Sequence, residues 1–230
     1  MKKIKQRQGF TLIESMIVLF IIGLLSFIGA IGFGKVNRQK MVQQAAYRIS
    51  TDISASRDYS VFGKQVSGKY PCGYGVSLKK GGGEIKNVYT SGSGLDRVST
   101  MEQDKTCDEL IDNKEVELRE SPVDDPNNFS LGKTEIDQTQ LYQKGAPVSA
   151  NEGYGCLVLL YSAPRGKMFY CTGSASSCPP AKCTFQIFSE SGLNNKSDYF
   201  SAVITLTEGA NAEKSYLKIY PSGNSETITE

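Results

Sequence analysis

The chain begins with a short polar and basic stretch, Met1–Gln8, and then turns into a 19-residue run without one charge, Met16–Gly34. A helix rises about 1.5 Å per residue, so the run covers roughly 28 Å, close to the hydrocarbon thickness of a bilayer. The only charge between the leader and Lys35 is Glu14, just inside the apolar stretch. A carboxylate there is costly and points to a function that supplies it with a partner. After Lys35 the pattern becomes amphipathic. Val42, Ala45, Ala46, Ile49 and Ile53 recur at i, i+3, i+4, i+7 and i+11, which predicts one buried helical face. Arg48 and Asp52 fall four apart on what reads as a more polar side. Residues 10 to about 62 therefore read as one long helix. Gly23, Gly29, Gly32 and Gly34 interrupt its pattern, each at about 1 kcal/mol of helix propensity against alanine, and Gly63 is placed to cap it.

Beyond Gly63 the period changes from 3.6 to 2. Tyr74–Leu78 and Ile85–Thr90 flank the turn residues Lys79-Lys80-Gly81-Gly82-Gly83 and predict a hairpin. Lys114–Glu120 alternates and predicts a half-buried or edge strand. Cys156–Ser162 is the most apolar run after the helix and predicts a central strand. Pro164-Arg165-Gly166 turns the chain, and Lys167–Thr172 returns it. Short strands are expected at Thr134–Asp137, Gln140–Tyr142 and Thr184–Ser189, with a closing pair at Ser201–Thr207 and Ser215–Tyr220 and a last segment near Ile228. The expected fold class is α+β, a long N-terminal helix packed on an antiparallel β-sheet head.

Composition adds compartment and sidedness. The leader holds Lys2, Lys3, Lys5 and Arg7, four of the 26 cations, so 22 cations face 24 acids in residues 10–230, a balance of −2. The net positive charge thus belongs to the leader and says nothing about nucleic acid. Cations before the apolar run predict the leader in the cytoplasm and the head outside. All six cysteines, Cys72, Cys107, Cys156, Cys171, Cys178 and Cys183, follow the apolar run, an even count that predicts disulfides in an oxidising compartment. Fifteen pairings satisfy that count. Cys72 and Cys156 flank strands expected side by side, and Cys171 or Cys178 with Cys183 would close a local loop.

Candidate chemistry is sparse. The chain has no histidine, which excludes histidine-based triads, and it carries no G-x-S-x-G and no cofactor fingerprint. The Gly81–Gly83 triplet lacks the Gly-Lys-Ser/Thr of a phosphate loop. A zinc site at Cys178–Cys183 is the alternative to a disulfide there. Pro122–Asn128 is rich in oxygens suited to calcium but departs from EF-hand spacing and has the composition of a turn. No enzyme, metal or cofactor is expected.

The stretch Gly9-Phe10-Thr11-Leu12-Ile13-Glu14 resembles the processing site of type IV pilins and type II secretion pseudopilins. A secretory signal would instead place an A-x-A-like site after its apolar core. The resemblance implies that a membrane prepilin peptidase cuts after Gly9 and N-methylates Phe10, and that Glu14 pairs with the terminal amine of a neighbouring subunit. It implies other pilin or pseudopilin subunits and an inner-membrane assembly platform as partners, with membrane lipid around the helix before assembly. The division it suggests is a leader at 1–9, a membrane and filament-core helix at 10–34, an amphipathic extension at 35–63 and a head at 64–230. The helix end followed by glycine and strands is most similar to H-type minor pseudopilins and minor pilins. The location implied is a single pass through the inner membrane, then a cell-surface or periplasmic filament. The alternative reading is a displayed adhesin or nucleic-acid receptor, for which Lys79, Lys80 and tyrosines 70, 74, 89 and 154 are the cues.

Overall fold

A computed structural model describes residues 12–66, 68, 70–90, 107–112, 115–121, 129–143, 146–148, 153–188, 200–208 and 214–229. The leader, the Ser91–Ser99 loop and the Pro122–Asn128 segment, where calcium was considered, lie outside them. The chain divides into two compact units, residues 1–40 and 41–230.

One helix, α1 (Leu12–Phe62), crosses that division. It runs unbroken through Gly23, Gly29, Gly32 and Gly34. It stops at Gly63, whose φ of 79° is a conformation that costs glycine least. The amides of Gly63 and Lys64 both reach back to the Tyr59 carbonyl, at 2.9 and 3.2 Å, and satisfy it at the helix end.

The second unit is built on β1 (Gly73–Lys79), β2 (Glu84–Thr90), α2 (Cys107–Ile111), β3 (Glu115–Glu120), β4 (Phe129–Ser130), β5 (Glu135–Gln143) and β6 (Ala146–Pro147). It continues with β7 (Cys156–Ser162), β8 (Met168–Gly173), β9 (Lys182–Thr184), β10 (Gln186–Ile187), β11 (Phe200–Thr207), β12 (Ser215–Ile219) and β13 (Ser225–Thr229). The described strands make two antiparallel sheets, one ordered β10-β8-β7-β1-β2-β3-β9 with β4 beside β2, the other β13-β12-β11-β5-β6. The α+β architecture is the expected one.

β7 holds the centre. Every residue in it is buried, because both faces of its sheet are covered. Leu157, Leu159 and Tyr161 join Val76, Leu78 and the α1 stripe Val42, Ala45, Ala46, Ile49 and Ile53 in one core, to which the second sheet adds Ile136, Ile204 and Leu217. Cys156, Val158 and Leu160 point the other way, into a second core with Ile111 of α2, Val116, Phe169 and Phe185. β9 and β10 stand at opposite ends of the first sheet yet are separated only by Phe185. The sheet therefore curls until its ends meet at that fully buried ring.

Three expectations change, and one pair of alternatives is settled. Thr184–Ser189 is not one strand: Phe185 drops into the core, so Thr184 ends a strand on β3 and Gln186 starts one on β8. Thr134–Asp137 and Gln140–Tyr142 are not two strands but one, β5, with a register shift opposite Thr205 and Leu206 that leaves Asp137 as the extra residue of a bulge. β3 is paired on both sides, with β2 and β9, so it is half-buried but not an edge. Asp52 is buried, not on a polar side. It follows Ile49 by three and Ala45 by seven residues, which places it inside the stripe.

Candidate assembly helix and processing motif

The first sixteen described residues of α1 have an unusual surface. Every large apolar side chain from Leu12 to Phe27 is between 46 and 80 % exposed. These residues are nearly consecutive, so they clothe the helix on all sides rather than along one stripe. Contiguous apolar surface of this extent marks a site that another apolar phase or surface covers, and a helix apolar all round is one that is buried when functioning. Within residues 41–62 the same helix keeps only its stripe apolar and buries it in its own unit.

Glu14 lies in the first turn of α1. Backbone amides there carry partial positive charge, which favours a carboxylate at that point over any other in the helix. Gly9 and Phe10, the expected cut and methylation positions, lie outside the described residues. Among the described residues no helix is long and apolar enough to cross a membrane. The described side chains of the charge-free run extend from Met16 to Phe27, about 18 Å of helix, and those of 28–35 lie outside the description.

Residues 4–30 match the prokaryotic N-terminal methylation motif. The chain carries the type IV pilin and pseudopilin signature. Neither the curated proteins nor the solved structures compared with it give a match. The matched stretch includes Gly9, Phe10, Glu14 and the apolar opening of α1, and it supports a processed, pilin-like subunit. It implies prepilin peptidase and other pilin subunits as partners.

The six cysteines form three disulfides, Cys72–Cys107, Cys156–Cys178 and Cys171–Cys183, with Cα separations of 5.3, 5.5 and 6.2 Å. Cys72 and Cys156 do flank neighbouring strands. However, β1 and β7 are antiparallel, with Gly73 opposite Ser162 and Lys79 opposite Cys156, so the two cysteines stand at opposite ends of the pair. Cys178 and Cys183 sit in different bridges, which removes the thiolate pair a zinc ion would need. Among the described residues no group of three or more metal-ligating side chains converges.

Cys107 opens α2, and the next residue, Asp108, is a buried carboxylate. Ser162 Oγ at the end of β7 donates to its Oδ1, and Lys167 Nζ lies 3.1 Å from its Oδ2. This network pins α2 to the β7–β8 hairpin, and the first disulfide ties it to Cys72, just ahead of β1. Sequence reasoning missed both α2 and Asp108; the signal was the pair Asp108-Glu109 heading a short apolar segment.

The receptor cues do not form one surface. Tyr74 is buried and packs edge-on against Tyr59 at 6.2 Å, while Lys79 is at the other end of β1. Tyr154 lies near Lys80, whose amide donates to the Gly155 carbonyl. Burial raises the Tyr154 hydroxyl, and it raises that of Tyr170 with a further push from Tyr154. Tyr161 is raised furthest, by burial, against an opposing pull from Arg57. Its hydroxyl has no hydrogen-bond partner. Lys214 is held above the usual lysine range by its hydrogen bond to the bulge residue Asp137, at 3.0 Å.

Proposed function

We propose that this protein is a minor pilin or pseudopilin, made as a precursor and assembled through α1. Prepilin peptidase cuts after Gly9 and methylates Phe10. Residues 10–34 cross the inner membrane, with the leader at 1–9 in the cytoplasm and the head at 64–230 outside, and the same helix then enters a filament core. Residues 35–63 fix the helix to the head. Glu14 meets the terminal ammonium of a neighbouring subunit. Such a pair makes a carboxylate tolerable in an apolar surrounding, because each charge compensates the other where water does not.

The observation that carries this reading is the exposed, all-round apolar surface from Leu12 to Phe27 with one acid in its first turn. A head with two sheets and three disulfides exceeds what a minimal repeating subunit needs, which favours a minor or tip position over the main repeat. The closing strand, turn and strand of β12 and β13 resembles the H-type group. Mass analysis of the N-terminus from cells with and without the peptidase tests the proposal. A chain starting at methylated Phe10 only when the peptidase is present is the expected result; a Met1 start in both strains removes it.

A further inference from the structure

We infer that Lys35, Arg38 and Lys40 form a cationic collar on α1 that binds the anionic phospholipid headgroups of the outer leaflet before assembly. The inference rests on the membrane-spanning reading of residues 10–34. The three positions follow the charge-free run Met16–Gly34 directly, and no acid occurs between Glu14 and Asp52. If the run fills the roughly 28 Å of hydrocarbon, the collar falls at the phosphate level, since it occupies only the next 8 Å or so of helix axis. Arg38 and Lys40 are exposed, and among the described residues neither has an ion-pair partner.

The distribution of the charges selects lipid over protein. At about 100° per residue the three positions spread over about 200° of the helix circumference. A single partner helix or acidic strip faces one side and meets one or two of them. A headgroup layer surrounds the helix and meets all three. The collar also opposes the leader. Before the cut, Lys2, Lys3, Lys5 and Arg7 hold the inner face; after it, the inner end keeps only the Phe10 amine and Glu14, which cancel. Processing therefore leaves the subunit charged toward lipid at its outer end alone.

The test reconstitutes the full chain in vesicles of mixed phosphatidylglycerol and phosphatidylcholine. It uses photoactivatable probes, one on each headgroup and one on an acyl chain, and maps adducts by mass spectrometry. Residues 33–41 should label with the glycerol-headgroup probe about fivefold more than with the choline probe, the effect of about one cation at an anionic surface. The preference should fall to parity in Lys35→Gln/Arg38→Gln/Lys40→Gln and in 1 M salt, where screening acts within about 3 Å. It should persist in Lys79→Gln/Lys80→Gln. Equal labelling by both headgroup probes, with acyl-chain adducts still present along 12–34, overturns the collar and leaves the membrane reading standing. Absence of acyl-chain adducts removes the membrane reading itself. Equal headgroup labelling together with loss of the triple variant from filaments overturns the lipid assignment in favour of a protein partner.

Discussion

Two halves of one helix obey different rules. From Leu12 to Phe27 α1 is apolar on every side and its side chains are exposed, whereas within residues 41–62 it is apolar along a stripe and that stripe is buried against β1 and β7. Each pattern states what the helix expects around it. A stripe expects one surface, and the chain supplies it. A full apolar coat expects an enclosing phase, and among the described residues these side chains stay exposed. The first half is thus written for surroundings outside the molecule, the second for its own head.

The largest effect that would separate the halves is a pair of truncations. Ile49→Ala removes a fully buried side chain and should lower head stability by about 2–4 kcal/mol, read by thermal unfolding of the full chain in detergent. Ile17→Ala, at a side chain 55 % exposed, should leave that transition unmoved. A matching loss from Ile17→Ala would break the distinction.

All three disulfides lie in the second unit, beyond the end of α1, and their loops rank them. Sequence separations of 35, 22 and 12 correspond to about 4, 3.5 and 3 kcal/mol of loop closure. Replacing Cys72 and Cys107 together by serine should therefore lower the head's unfolding midpoint most, and replacing Cys171 and Cys183 least, with the membrane or filament behaviour of the first half unchanged in each.

Next comes the network under α2. Asp108→Ala strips the Ser162 hydroxyl and Lys167 of their shared acceptor and should cost about 1–3 kcal/mol, measured by denaturant unfolding. The smallest effect is at Tyr161, whose buried hydroxyl is unpaired. Tyr161→Phe should shift stability by less than about 1 kcal/mol, toward neutral or more stable. The Tyr161 proton is held more tightly in the folded chain than the ordinary tyrosine value near 10. Its contribution is therefore intact below about pH 10 and is lost as pH rises beyond it. The phenylalanine variant should lose less stability in alkali than the parent chain.

How far these features could be read beforehand follows from the range of the forces that fix them. The α1 stripe, the Gly63 cap, the β1–β2 and β7–β8 hairpins and the central place of β7 all follow from local pattern and turn chemistry. The i, i+4 spacing of Asp52 from Arg48 masks its place in the buried stripe, which the 3.6-residue period sets. The continuity of β5 was hidden by its bulge at Asp137, and the break at Phe185 by a core that only the curled sheet creates. The disulfide partners depend on which strands run antiparallel, a long-range fact that no spacing encodes. The pilin signature was legible because the expected cut position, the acid and the start of the apolar run all lie within residues 9–16; the head carries no comparable local code.

The account stands on the claim that Glu14 and the apolar coat around it drive assembly and play no part in folding the head. Incorporation of Glu14→Ala into purified filaments, compared with the parent chain in cells that hold the peptidase, tests this most directly. The expected result is a chain processed to a Phe10 start, with an unaltered head unfolding transition, that is missing from the filaments. Filaments containing the variant at the parent level would contradict it.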